Sequence, residues 1–103
     1  MWVLELGSSV WTVYLPCDKD GNCPVLDYLL DVAGKEGEKA LAFLRDHIPV
    51  HGTAKLPSGR SRKLEGCKKP ISEFRWHKKG PELRVFYFCP KGTRKTILCV
   101  SAF

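Results

Sequence analysis

Ile71-Ser-Glu-Phe-Arg-Trp76, Glu82-Leu-Arg-Val-Phe-Tyr-Phe88 and Thr96-Ile-Leu-Cys-Val-Ser-Ala-Phe103 are the stretches whose reading decides the fold. Each is of strand length and rich in aromatic and β-branched residues. Two polar breaks separate them, His77-Lys-Lys-Gly-Pro81 and Pro90-Lys-Gly-Thr-Arg-Lys95. Breaks this short, containing Gly and Pro, favour hairpins over crossovers, so the three runs predict an antiparallel meander. After Glu82 the middle run is almost wholly apolar except for Arg84, which suits a strand inside a sheet, covered on at least one face.

The upstream half must supply that cover. Val10-Trp-Thr-Val-Tyr-Leu15 reads as a strand closed by Pro16, and Met1–Leu6 as a further strand or an extra turn. Asp18-Lys-Asp-Gly-Asn22 is a turn by composition. Pro24 suits the first position of a helix. Val25, Leu26, Leu29, Leu30 and Val32 then recur at helical spacing. A second helix is expected from Glu36 through Ala40, Leu41, Phe43, Leu44, His47 and Ile48, stopped by Pro49. The expected fold class is α+β: an antiparallel sheet, made of an N-terminal strand plus the C-terminal three-stranded meander, with a helical hairpin packed on one face. Residues 1–103 suffice for one domain with its own core.

Charge is divided unevenly along the chain. The net +6 comes from 17 Lys and Arg against 11 Asp and Glu. Residues 1–54 carry eight acidic and four basic groups, and residues 55–103 carry three acidic and thirteen basic ones. The halves are therefore about −4 and +10, and a polyanion partner, if there is one, belongs to the half that holds the strands. The connection from Val50 to Lys63 is long enough to suggest a functional loop. It carries Lys55, Arg60, Arg62 and Lys63, and Lys68 and Lys69 follow.

The five cysteines are Cys17, Cys23, Cys67, Cys89 and Cys99, an odd number without a Cys-x-x-Cys pair. The N-terminus has neither a basic region nor a long apolar core, so no secretory signal is expected. Together these features predict thiols in a reducing cytoplasm. Cys17, Cys23 and a histidine are poorly spaced for zinc. The calcium-like start at Asp18 fails where Cys23, Pro24, Val25 and Leu26 replace ligands. No metal or cofactor is expected, and no apolar run reaches membrane-spanning length.

Alternation along the strands assigns faces. Glu73 and Arg75 share one face of the first run, while Ser72, Phe74 and Trp76 take the other. Arg84 shares a face with Phe86 and Phe88, and Leu83, Val85, Tyr87 and Cys89 take the other. Arg75 is open to a cross-strand ion pair with Glu73 or Glu82. Arg84, set in an apolar run, needs a partner or a ligand. Trp76, Phe86 and Tyr87 read as core residues ahead of base-stacking platforms. His77 reads as a solvated turn residue and His47 as a complement to the helix dipole.

In order, several motifs resemble the phage-derived, HigB-like branch of the RelE toxin superfamily. Trp11 to Leu30 is similar to its opening strand, turn and first helix. Arg62-Lys-Leu-Glu-Gly66 resembles its Lys-Leu-x-Gly step. Ile71-Ser-Glu-Phe-Arg75 and Leu83-Arg-Val-Phe-Tyr-Phe88 resemble its two arginine-bearing strands, and Thr96–Phe103 its last strand. The resemblance implies a cytoplasmic type II toxin that cleaves mRNA, usually on the ribosome, through the RNA's own 2′-hydroxyl and without a metal. It also implies neutralisation by a small antitoxin of helix-turn-helix type. Carried over by position, the catalytic residues are Arg84, Arg75 and Lys63. Lys55, Arg60, Arg62, Lys68, Lys69, His77, Lys78 and Lys79 are then expected on RNA.

Two departures stand beside the resemblance. The first ten residues are extra, and members of the branch continue beyond the last strand into a basic tail, whereas this sequence ends at Phe103. A second reading therefore stays open: a catalytically inactive module on the same fold that binds antitoxin or RNA. A third is a phage structural or regulatory protein with no RNA role.

Overall fold

The computed structural model describes residues 2–53, 56, 59–64, 71–76, 82–90 and 92–103. It is a mixed α+β fold with one six-stranded sheet and two helices. The strands are β1 (Trp2–Ser8), β2 (Thr12–Cys17), β3 (Ser61–Lys63), β4 (Ser72–Trp76), β5 (Leu83–Phe88) and β6 (Thr96–Ala102). Their order in the sheet is β1-β2-β6-β5-β4-β3. All neighbours are antiparallel except β2 and β6, which run parallel over Thr12–Tyr14 and Thr96–Leu98. That pairing makes the sheet mixed, where the sequence predicts an antiparallel one. The chain leaves β2, builds the helices and β3–β5, and returns to lay β6 between β2 and β5.

Of Met1–Leu6, left open between strand and turn, the described residues 2–6 belong to β1 along the outer side of β2. Pro16 does not close β2; it lies within it, opposite Val3. A proline is tolerated there because the parallel pairing to β6 stops at Tyr14. Beyond that point the missing N–H breaks no bond of that ladder. Gly7 lies where the second helix crosses β1, and a Cβ there would run into the Arg45 carbonyl oxygen.

The first helix begins as α1 (Pro24–Asp27) and widens into a π-helical turn at Tyr28–Val32. The second comprises α2 (Gly34–Ala42), a π-helical turn at Phe43–His47, and α3 (Ile48–His51). Pro49 therefore does not stop this helix. It falls in the first turn of α3, where a missing N–H is tolerated. The stop comes at Gly52, with φ of 63°, whose N–H bonds the Ile48 carbonyl at 2.7 Å. The expected long loop from Val50 is shorter for the same reason, and Ser61–Lys63 at its far end is a strand.

The core lies between these helices and one face of the sheet. Val25, Leu29, Ala40, Leu44 and Ile48 pack with Val13, Leu15, Phe74, Trp76, Leu83, Val85, Tyr87, Ile97 and Cys99. β5 shows the alternation cleanly, with Leu83, Val85 and Tyr87 buried and Arg84, Phe86 and Phe88 less so. Cys89, expected on the covered face, is exposed, because β5 ends at Phe88. Cys17 and Cys23 are joined in a disulfide that closes the Asp18–Asn22 turn, so these two are not the free thiols expected from the sequence. Cys99 is buried and free, and burial pushes its thiol up to about 12, which keeps it inert. Among the described residues no helix is long and apolar enough to cross a membrane.

Candidate functional site

The face of the sheet turned away from the helices gathers Arg62 of β3, Glu73 and Arg75 of β4, and Arg84 of β5. In antiparallel pairing, residues directly opposite one another project to the same side. Arg62 is opposite Glu73, Glu73 is opposite Phe86, and Arg75 is opposite Arg84. Two arginines facing each other repel unless counter-charge is supplied. Glu73 and Glu82 supply it.

Glu73 is fully buried. Its Oε1 accepts from Arg62 Nε at 2.6 Å. Arg75 Nε lies 3.8 Å from Oε1, and Arg84 Nη1 lies 3.9 Å from Oε2. Oε2 has no hydrogen-bond partner among the described residues. Glu82, just before β5, accepts from both arginines of the facing pair, with Oε1 on Arg75 Nε and Oε2 on Arg84 Nη2, the latter at 3.1 Å. These contacts, the Arg75 hydrogen bond foremost, hold the Glu82 carboxyl down at about 2. The same bond raises the pKa of Arg75. Both arginines stay reachable: the Arg84 side chain is 34% exposed and that of Arg75 20%.

An aromatic pair borders the arginines. Phe86 meets Phe103 edge-to-face at 4.9 Å. Phe103 reaches this face through a bulge in β6. Tyr87 is opposite Cys99, yet Phe86 is opposite Ser101, so Val100 is an extra residue. The bulge reverses the phase of the last residues. Phe103 then exchanges backbone hydrogen bonds with Arg84 at 2.9 and 3.0 Å. The resulting surface carries guanidinium groups beside aromatic rings, the combination that neutralises a phosphate backbone and stacks bases.

The expected residues divide between the two faces. Arg75, Arg84 and Arg62 come together. Lys63 does not join them: it is opposite Ser72, on the side facing the helices. Arg60 precedes β3 and turns around the sheet edge, with its guanidinium over the rings of Trp76 at 5.0 Å and Phe43 at 5.8 Å. Its Nη1 donates to the Arg75 carbonyl at 2.8 Å, and burial lowers its pKa. Lys55, Lys68, Lys69, His77, Lys78 and Lys79 lie outside the described residues.

No protein-family model, curated protein or solved structure matches the chain. Of the three aromatics weighed as core or platform, Trp76 and Tyr87 are buried, and Phe86 lies on the arginine face. Tyr87 stacks on Phe74 at 3.9 Å and shares a hydrogen bond with the Ser61 hydroxyl at 2.6 Å. His47 sits between Phe43 and His51, at 5.0 and 4.7 Å between ring centroids, rather than standing free at a helix end. Among the described residues no group of three or more His, Cys, Asp or Glu is placed to hold a metal.

Sequence reasoning put Glu73 on the correct face but gave it no role beyond pairing with Arg75. Its full burial beside three arginines carried no signal in the sequence. Phe103 was missed because nothing in Thr96–Phe103 marks the bulge.

Proposed function

We propose that this chain is a RelE-like, HigB-type toxin that cleaves mRNA on its open sheet face and is held in check by a small antitoxin. What supports the reading is one observation: Arg75 and Arg84 stand directly opposite each other on a partly exposed, aromatic-bordered face. Paired guanidinium groups neutralise charge that develops on a scissile phosphate. In this reading the attack comes from the RNA's own 2′-hydroxyl, Arg84 and Arg75 stabilise the transition state, and Arg62 holds the flanking backbone. β4, β5 and β6 are then the meander of that fold, on the side opposite its helical hairpin. The compartment would be the bacterial cytoplasm.

A second reading draws support from Lys63. Its place on the helix side of the sheet removes one of the three expected catalytic groups from the arginine cluster. A binding module that retains RNA or antitoxin recognition without cleavage fits that separation.

Induced expression in a bacterial host, following growth and mRNA integrity together, tests both. Growth arrest with mRNA cleavage, abolished by Arg84→Ala in a protein that still folds, is the expected result. Normal growth with intact mRNA and soluble, folded wild type would leave the binding module in its place. Toxicity retained in Arg84→Ala would reject the assigned site.

A further inference from the structure

Glu82 occupies the space between the two arginines. Each of its carboxylate oxygens accepts from a different guanidinium, Oε1 from Arg75 and Oε2 from Arg84. A phosphodiester offers the same pattern, two unbridged oxygens sharing one negative charge, and arginine donors recognise either group in the same way. The two carboxylates of the cluster differ in their hold. Glu73 is fully buried, with its shortest contact to Arg62, whereas the Glu82 side chain is 21% exposed and accepts from Arg75 and Arg84. Among the described residues, Arg62, Arg75 and Arg84 with both carboxylates in place leave the cluster with a single net positive charge. Withdrawing Glu82 alone adds a second.

We propose that Glu82 is an internal competitor for the Arg75–Arg84 pair: its carboxylate stands in the free protein where an RNA phosphodiester sits in the complex. The inference rests on the RNA-binding reading of this face and adds to it the residue that limits affinity. A phosphate reaching both arginines must displace two charge-assisted hydrogen bonds and then face a carboxylate of like charge. Removing that carboxylate therefore strengthens binding, although it removes an ion-pair partner from the folded protein.

The experiment compares full-length wild type, Glu82→Gln, Glu82→Ala and Arg84→Ala, each shown to be folded by circular dichroism. Fluorescence anisotropy with a labelled single-stranded oligouridylate is followed across a salt series. Asp46→Asn, on the second helix, makes the same change in net charge far from the arginine face and serves as the control. Glu82→Gln and Glu82→Ala are expected to bind about tenfold tighter than wild type at low salt, with the gain shrinking as salt rises. Asp46→Asn is expected to change affinity by less than about twofold, and Arg84→Ala to weaken it. If Arg84→Ala weakens binding but neither Glu82 variant strengthens it, the RNA face stands and the competition is rejected. An equal gain from Asp46→Asn would reject it too, because net charge alone would then explain the effect. If wild type and both Glu82 variants all fail to bind, the competition and the RNA-binding reading fall together.

Discussion

β4 and β5 present two faces made by the same strands, and the faces are held by different physics. Toward the helices, Phe74, Trp76, Leu83, Val85 and Tyr87 are almost entirely buried. Phe74 stacks on Tyr87, and Phe43 meets both Phe74 and Trp76 edge-on. On the other side the same backbone carries Glu73, Arg75, Arg84 and Phe86. The covered face contributes stability through apolar area removed from water. The open face gains Coulomb attraction and gives much of it back in desolvating Glu73. Its charges are therefore a costly way to hold a sheet together.

The sharpest way to break this comparison is to cut into the covered face. Phe74 is fully buried and lies at the centre of the aromatic stack. Phe74→Ala is expected to cost about 3–5 kcal/mol, read from urea denaturation. A loss below about 1 kcal/mol would mean that this face does not carry the fold.

Glu73→Gln is the corresponding cut on the open side. It keeps the shape but removes the buried charge that Arg62, Arg75 and Arg84 surround. The expected loss is about 2 kcal/mol, less than for Phe74, because the arginines are partly solvated and the desolvation of the carboxylate is recovered. A variant as stable as wild type would show that the two terms cancel, which would sharpen the contrast between the faces.

Much of this arrangement was legible in the sequence, because strand alternation is a local property. Reading residues 71–88 with period two separates Glu73 and Arg75 from Phe74 and Trp76 in one strand, and Arg84 and Phe86 from Val85 and Tyr87 in the next. What failed depended on partners distant in the chain. The parallel pairing of β2 with β6 joins residues far apart, and hydrophobic pattern does not encode direction. β3 pairs over only three residues, and its register alone puts Arg62 on the arginine face and Lys63 on the other. Arg60 leaves the pattern because two aromatic rings at the sheet edge attract its guanidinium. Pro49 misled because a π-helical turn ahead of it lets the helix restart with the proline in its first turn.

The smallest expected effect lies at the outer edge of the open face and depends on pH. Glu82 titrates at about 2 in the folded protein, against an ordinary value of 4.5. A carboxyl with a depressed folded pKa binds its proton more readily once unfolded. Its contribution is thus fully present above about pH 4.5 and is lost as pH falls toward 2. Glu82→Gln has no such proton to take up. The difference in urea midpoint between wild type and Glu82→Gln should therefore be constant from pH 7 to about 5 and move toward Gln as pH falls from 4.5 to 2. Because the side chain is partly exposed and the pair is screened, the change should also weaken in high salt. A difference that stays flat through this range would mean that Arg75 and Arg84 do not hold the Glu82 carboxylate in solution, and the open face would then be free of its competitor before any RNA arrives.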